Sequence, residues 1–326
     1  GATMYGTNDR DMFGNHAAMS ADGKRIAIGT RWKHAPDTSA IVSIRSWTNN
    51  AWVEDMTVEV THGLTWRFNV LGLKLSTDGS YMLEYGKKGG FGTLPSAITV
   101  SVWDLTGSVG VKRTIDPAAA ARSSASMAMD QHANVLVLGS GQSGGMVQIF
   151  RWNGNMYALE SDTSAMFTGT GSNRFGNAVA LSPNGEHLVV TDSTAQFFRV
   201  YQRVSNAWTL QGQDTLVVGA SSECLGGGTV SSNSLAVNIY GTAIAIGDHC
   251  GATGGAVWVF SWDPDGGASG TGEWIKFQGL EYWLDDNGAP AGEASYLTQS
   301  ELFGLKVDLS DDGRTLAVGI PLAHAY

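Results

Sequence analysis

Positive charge, cysteine and long apolar runs are all scarce in this chain. Of 326 residues, 20 are Lys or Arg against 30 Asp or Glu, giving a formal net charge of −10. Basic residues gather no further than pairs such as Lys87-Lys88. Phosphate binding needs a basic footprint, so nucleic acid is set aside as a partner. No apolar stretch nears the ~20 residues of a membrane helix, so no membrane span is expected. Two cysteines cannot make a four-cysteine zinc site or a disulfide-dense scaffold. Charged residues are only 15%, while apolar residues are 43%, which separates the chain from disordered sequences. The chain opens at Gly1 without a Met or a signal-like segment, as a processed product or a piece of a longer protein would.

Glycine, by contrast, is abundant: 43 of 326 residues. That is about twice the usual ~7%. Set among alternating Val, Ile, Leu and Trp, it predicts many short strands joined by tight turns. The strands come as a repeated phrase. FGNHAAMSADGKRIAIG (13–29), FGNAVALSPNGEHLVV (175–190) and FGLKVDLSDDGRTLAVG (303–319) are the clearest copies. LGLKLSTDGSYMLEYG (71–86), ASMAMDQHANVLVLG (125–139) and SNSLAVNIYGTAIAIG (232–247) are degenerate ones. Anchored on Asp22-Gly23, Asp78-Gly79, Ala133-Asn134, Asn184-Gly185, Tyr240-Gly241 and Asp312-Gly313, the spacings are 56, 55, 51, 56 and 72. An Asp-Gly or Asn-Gly pair between short apolar strands predicts a two-residue hairpin, both residues at positive φ.

Each of the first five copies leads into a second strand pair. Third strands read AIVSIRSW (40–47), AITVSVWDL (97–105), MVQIFRW (146–152), QFFRVYQR (196–203) and AVWVFSW (256–262). Their alternation predicts one buried face. Fourth strands read AWVEDMTV (51–58), VKRTI (111–115), MYALE (156–160), AWTLQG (207–212) and EWIKFQG (273–279). The unit is therefore four antiparallel strands in roughly 55 residues, small and apolar inside, Trp-bearing and charged outside. That gradient suits a β-propeller blade, which buries its faces only against neighbouring blades. The expected fold class is all-β: one propeller domain over 1–326, with repeats at about 13–60, 69–116, 125–160, 175–212, 230–279 and 303–326. The last is partial, and an acidic insert at 280–301 precedes it. Six first pairs stand against five second pairs. The chain is thus expected to be a portion of a longer protein, in a six- or seven-bladed ring, or to receive the missing hairpin from a neighbour.

These motifs resemble the FG-GAP family of β-propeller repeats, found in integrin α-subunit heads and many surface proteins. Phe13-Gly14, Phe175-Gly176 and Phe303-Gly304 match its first motif; Ile28-Gly29, Ile246-Gly247 and Val318-Gly319 match its second. The resemblance implies a surface or extracellular protein engaged in adhesion or other contacts. It does not carry over the family's calcium loops. Where those stand, this chain has only turns such as Ala-Asp-Gly-Lys, and a short turn cannot supply the six to eight oxygens that calcium takes.

Few side chains suggest chemistry. Asp263 and Asp265 are weak calcium candidates, in a loop whose Pro264 and paired glycines read as a hairpin; otherwise no cofactor is expected. Cys224 and Cys250 fall on one face of repeat five. They are candidates for a disulfide closing a loop of about 27 residues, with a stabilisation of roughly 3.5 kcal/mol, or else two small buried hydrophobes. A disulfide favours a secreted setting. Gly141-Gln142-Ser143-Gly144-Gly145 fits G-x-S-x-G but reads as a turn between strands, not the strand-to-helix elbow that motif needs. Trp47, Trp103, Trp152 and Trp262 recur late in third strands, and Trp52, Trp208 and Trp274 early in fourth strands, which reads as packing between repeats. Trp32 and Trp283, in loops, are the candidate binding aromatics.

The expected function is a non-enzymatic module contacting proteins or glycans. A carbohydrate-active propeller enzyme, a glycosidase or lyase with an axial site, is the first alternative. It calls for acidic residues on first strands, which here are mostly small and apolar. A self-assembling structural subunit is the second alternative.

Overall fold

The computed structural model describes residues 4, 13–14, 16–30, 40–60, 68–88, 97–115, 126–141, 145–160, 174–218, 220, 225–226, 234–249, 256–267, 271–277 and 304–319. Every regular element among them is a β-strand. Repeat one contributes β1 (His16–Met19), β2 (Arg25–Gly29), β3 (Ala40–Thr48) and β4 (Ala51–Val60). Repeat two contributes β5 (Phe68–Leu75), β6 (Tyr81–Lys88), β7 (Ala97–Asp104) and β8 (Val111–Ile115). Repeat three contributes β9 (Ser126–Met129), β10 (Val135–Ser140), β11 (Met146–Trp152) and β12 (Met156–Leu159). Repeat four has five strands: β13 (Phe175–Leu181), β14 (His187–Asp192), β15 (Phe197–Val204), β16 (Ala207–Leu210) and β17 (Thr215–Leu216). Repeat five has β18 (Leu235–Val237), β19 (Ala243–Asp248), β20 (Ala256–Asp263) and β21 (Glu273–Lys276). Repeat six shows β22 (Lys306–Leu309) and β23 (Leu316–Gly319).

Strands of repeats one and five form four-stranded sheets in chain order, each an antiparallel meander. Two departures from that pattern were not foreseen. β8 and β12, the outermost strands of repeats two and three, pair in parallel through Met156↔Thr114 and Tyr157↔Ile115. The result is an eight-stranded sheet in the order β5-β6-β7-β8-β12-β11-β10-β9. In repeat four the outer edge of β15 is shared: β16 pairs its end and β17 its beginning.

The chain separates into two compact units. One holds residues 1–123, 129–136 and 150–159; the other holds 124–128, 137–149 and 160–326. In the first, Ala27, Val42, Ile44 and Val58 of repeat one close a core with Leu73, Met82 and Leu105 of repeat two. In the second, Phe198 and Val200 of repeat four pack with Ile244, Ile246, Phe260 and Trp274 of repeat five. The small residues of repeat five serve its other side: Ala236, Ala245 and Val259 pack with Val307 of repeat six. In A-I-A-I-G of β19, the two Ile therefore face repeat four and the Ala between them faces repeat six. Alternation here divides residues between two cores, not between core and solvent.

The expectation of one buried face for third strands holds over the first residues of β11 and β15, where Val147 and Ile149, and Phe198 and Val200, are buried between less buried neighbours, but not in β3 and β20. Val42, Ser43 and Ile44 are buried consecutively in β3, as are Trp258, Val259 and Phe260 in β20. β10 and β14 are buried throughout. Fourth strands such as β4 and β16 are mostly exposed, and the first strands β1 and β22 expose alternate residues.

Glycine explains how neighbouring repeats come so close. A Cβ on Gly247 of β19 would overlap the Gly304 carbonyl of repeat six and the Ser234 hydroxyl, which itself donates to that carbonyl. Gly139 of β10 meets the Gly176 carbonyl in the same way, and Ser126 donates to it at 3.2 Å. Gly176 and Gly304 sit at φ +83° and +79°, where side chains are strained. The Phe-Gly motif and the glycine ending the second strand are thus two sides of one contact between successive repeats.

Candidate functional site

The repeated turn is the most regular polar device in the molecule. In repeat one, Ser20 and Arg25 close the hairpin through Ser20 N–H to Arg25 O (2.9 Å), and Gly23 N–H returns to Ser20 O (2.9 Å). The connection is four residues long, 21–24, and only Gly23 has positive φ. The expected two-residue hairpin, with both residues left-handed, is therefore replaced by a longer turn in which one glycine carries the reversal. Asp22 Oδ1 accepts from Ser20 Oγ (2.7 Å) and Lys24 N–H (3.0 Å), and Ser20 Oγ accepts from Arg25 N–H (2.9 Å).

The same set recurs with Ser76 and Asp78, Ser182 and Asn184, and Ser310 and Asp312. Repeats three and five reach the same end with one residue. Asp130 Oδ1 accepts from Asn134 and Val135 N–H at 2.6 and 2.9 Å. Asn238 Oδ1 accepts from Thr242 and Ala243 N–H at 2.8 and 2.9 Å. The structure also shifts the anchor of repeat three. Ala133, at φ +52°, holds the glycine position, so the equivalent residues are Gly23, Gly79, Ala133, Gly185, Gly241 and Gly313.

These bonds act on ionisation. The Ser20 and Ser310 hydroxyls, with backbone N–H groups, hold Asp22 and Asp312 below the ordinary carboxylate range. Burial pushes Asp78 up, but the Ser80 N–H and the Ser76 hydroxyl outweigh it and leave it lowered. Asp130 is raised, because its burial outweighs the two N–H donors.

The turns also join repeats. Arg25 lies over the turn of repeat two, donating to Gly79 O (3.0 Å) and Leu105 O (3.2 Å) and pairing with Asp55 (3.4 Å). At the same position in repeat four, His187 lies against Gly241. In repeat five it is Ala243 against Gly313. Between repeats two and three, Arg113 is stacked over Tyr81 (4.1 Å) and Trp152 (4.4 Å), pairs with Asp104 (3.4 Å) and donates to Ala133 O (3.4 Å). Tyr157 also donates to Ala133 O, and burial first of all raises its phenol to about 12.

The sequence-predicted residues fare unevenly. Asp263 ends β20, where its Oδ1 accepts from Asp265 N–H at 3.0 Å and caps the outer hairpin. Cys224, Cys250, Trp32 and Trp283 lie outside the described residues, so the disulfide and loop-aromatic expectations have no structural counterpart here. Gly141 and Gly145 lie between β10 and β11 and press on Asn177 and Phe175. The recurrent tryptophans pair across outer hairpins: Trp47 with Trp52 at 5.4 Å, Trp262 with Trp274 at 5.3 Å. Trp208 instead donates to Glu160 (3.3 Å), which also holds Arg203 (3.1 Å).

Sequence reasoning missed a set of buried polar residues ending second strands: Thr30, Ser140, Asp192 and Asp248. Asp192 is 1% exposed. Its Oδ1 accepts from Arg174 N–H (3.2 Å) and Ala195 N–H (3.0 Å), while Oδ2 has no hydrogen-bond partner. The signal was present, since aligning the repeats on the turn glycine places Asp192 and Asp248 at one position.

The chain matches no protein-family profile, and no curated protein sequence matches it. Solved structures do. It is similar to the Cps50 (Swd1) β-propeller domain of Myceliophteria thermophila, at 14% identity and TM-score 0.52, over 94% of this chain and 79% of that one. It is also similar to a putative 6-phosphogluconolactonase from Bacteroides uniformis, at 11% identity and TM-score 0.55, over 94% of this chain and 77% of that one. The fold is a β-propeller.

Proposed function

We propose that this propeller is a non-enzymatic binding module, an FG-GAP-like ring of four-stranded blades. In that reading β8 and β12 join two blades at their rims, and β22–β23 is the inner half of a sixth. It works at a cell surface or outside the cell, holding protein or glycan partners or building an assembly. The observation that carries this reading is where large apolar side chains reach solvent. Second strands bury theirs, whereas Val204, Leu210, Leu216, Val218, Ile275 and Phe277 are 42–83% exposed on or just after the outer strands of repeats four and five. Met19, Val53, Val109 and Val111 of the other unit are exposed as well, at 50–68%, so each unit offers apolar side chains of the kind that suit a partner surface. A Cys224–Cys250 disulfide fits the same setting.

The test substitutes Leu216→Ser, Val218→Ser and Phe277→Ser together. Sedimentation of the parent and variant reads self-association, and glycan arrays and extracellular-protein arrays read partners. The expected result is a parent interaction that the variant loses by tenfold or more. Identical behaviour of both proteins contradicts the reading.

One observation favours a second reading, a propeller enzyme. Asp192 and Asp248 place buried acids at one register position, and the likeness to a putative 6-phosphogluconolactonase points the same way. Hydrolysis of a lactone or polysaccharide panel, abolished by Asp192→Asn in a protein that still folds, supports it. An inert parent removes it.

A further inference from the structure

Two buried imidazoles flank the sheet of repeat five. His187 opens β14, and its ring lies so close to the Gly241 turn that a Cβ there would overlap it. It is 6% exposed and its Nδ1 has no hydrogen-bond partner. His249 follows β19 at the opposite end of the sheet, 8% exposed, with its Nδ1 likewise unpartnered. Its electrostatic neighbours are Asp248 beside it and Lys306 of β22, the strand that repeat six packs against β19.

We infer that the β18–β21 sheet is an acid-responsive element, whose seams with repeats four and six loosen when His187 and His249 take up protons. The charged surroundings are sparse. His187 has Glu186 beside it, and the turn packed on it brings only Tyr240, which is exposed. Burial is the largest influence on both rings and disfavours their charged forms. Glu186 and Asp248 act the other way without cancelling it, and Lys306 adds to it. The equivalents of His187 in repeats one and five, Arg25 and Ala243, do not change charge in this range.

The sign follows from linkage. A histidine whose folded pKa lies below its unfolded value near 6.5 contributes nothing to pH dependence above that value. As pH falls below it, the unfolded chain binds protons that the folded chain refuses. Each such ring weakens the folding equilibrium by up to tenfold per pH unit until the folded pKa is reached.

The test is urea unfolding of the full chain between pH 7.5 and 5.0, followed by tryptophan emission. Trp258 and Trp274 are buried in this sheet and report its opening. The expected result is a constant midpoint above pH 6.5 and a falling one below it, with the slope halved in His187→Gln and flattened in His187→Gln/His249→Gln. An unchanged slope in the double variant overturns the inference. Should a variant fail to fold, NMR titration of the parent imidazoles decides. Midpoints for both rings below 6.5 sustain it, and midpoints at or above 6.5 overturn it.

Discussion

The seam between repeats two and three and the seam between repeats four and five perform the same task with opposite chemistry. At the first, Arg113 reaches across, stacked between Tyr81 and Trp152 and bonded to Asp104 and the Ala133 carbonyl, while β8 and β12 pair edge to edge. At the second, Phe198 packs on Phe260 (4.8 Å) and Trp274 (5.9 Å), and the Gly212 backbone lies on Trp262. One seam is a directed polar staple; the other is a cluster of rings meeting edge to face. What they share is geometry, a turn glycine position that the preceding repeat covers. The repeat therefore specifies a place for contact and leaves its chemistry free. This explains why sequence copies so degenerate still build one fold.

The comparison is most severely tested at Phe198. Phe198→Ala removes the centre of the aromatic cluster and is expected to cost about 4 kcal/mol by urea unfolding, because a buried ring leaves a cavity that its neighbours only partly fill. A loss below about 1 kcal/mol would mean that this seam does not depend on its apolar contacts. Arg113→Ala is next. Two ring contacts and a half-buried ion pair are expected to contribute about 2 kcal/mol together, with little response to added salt. A strong salt dependence would place the staple at the surface and erase the distinction from an ordinary ion pair.

The smallest effect is the acid response of the turns. Asp22, Asp78 and Asp312 are held below the ordinary carboxylate value in the folded chain. Their contribution is complete at neutral pH and is lost as pH falls below about 4, through their folded values. The triple change Asp22→Asn, Asp78→Asn and Asp312→Asn is expected to flatten the unfolding profile below pH 4 while leaving the turns formed. Asn184 already plays this part in repeat four. A profile unchanged by the substitutions would show that the turn carboxylates do not contribute as ions.

Much of the strand pattern was legible because its signals are local. Small apolar strands, turn glycines and outer tryptophans each declare themselves within a few residues, and the strands form where those signals fall. The parallel β8–β12 pair was not legible, since pairing between repeats depends on how sheets meet and leaves no periodicity in either strand. Nor was the four-residue turn. Asp-Gly suits several reversals, and the choice here is made by Ser20 and its equivalents two residues earlier, whose hydroxyls bond both Asx and backbone. The buried Asp192 escaped because an acidic residue ending a strand reads as exposed when only its neighbours in sequence are considered. Arg113 looked like one charge on an outer strand, yet its side chain is 13% exposed once Tyr81 and Trp152 enclose it.

The most direct measurement compares two glycines at one repeat position, Gly79 and Gly241. Both sit at positive φ, +71° and +64°, so an added Cβ strains each backbone by a similar amount, about 1–2 kcal/mol. They differ in what covers them. A Cβ on Gly79 meets the methylene chain of Arg25, Cδ at 2.9 Å and Cβ at 3.0 Å, whereas one on Gly241 overlaps the ring of His187 far more deeply. Gly79→Ala is expected to cost about 1–2 kcal/mol, and Gly241→Ala about 2 kcal/mol more. The excess should vanish when His187→Ala is combined with it in a double-mutant cycle. Equal costs for the two glycines, or an excess that survives removal of His187, would contradict seams built by covering the turn glycine.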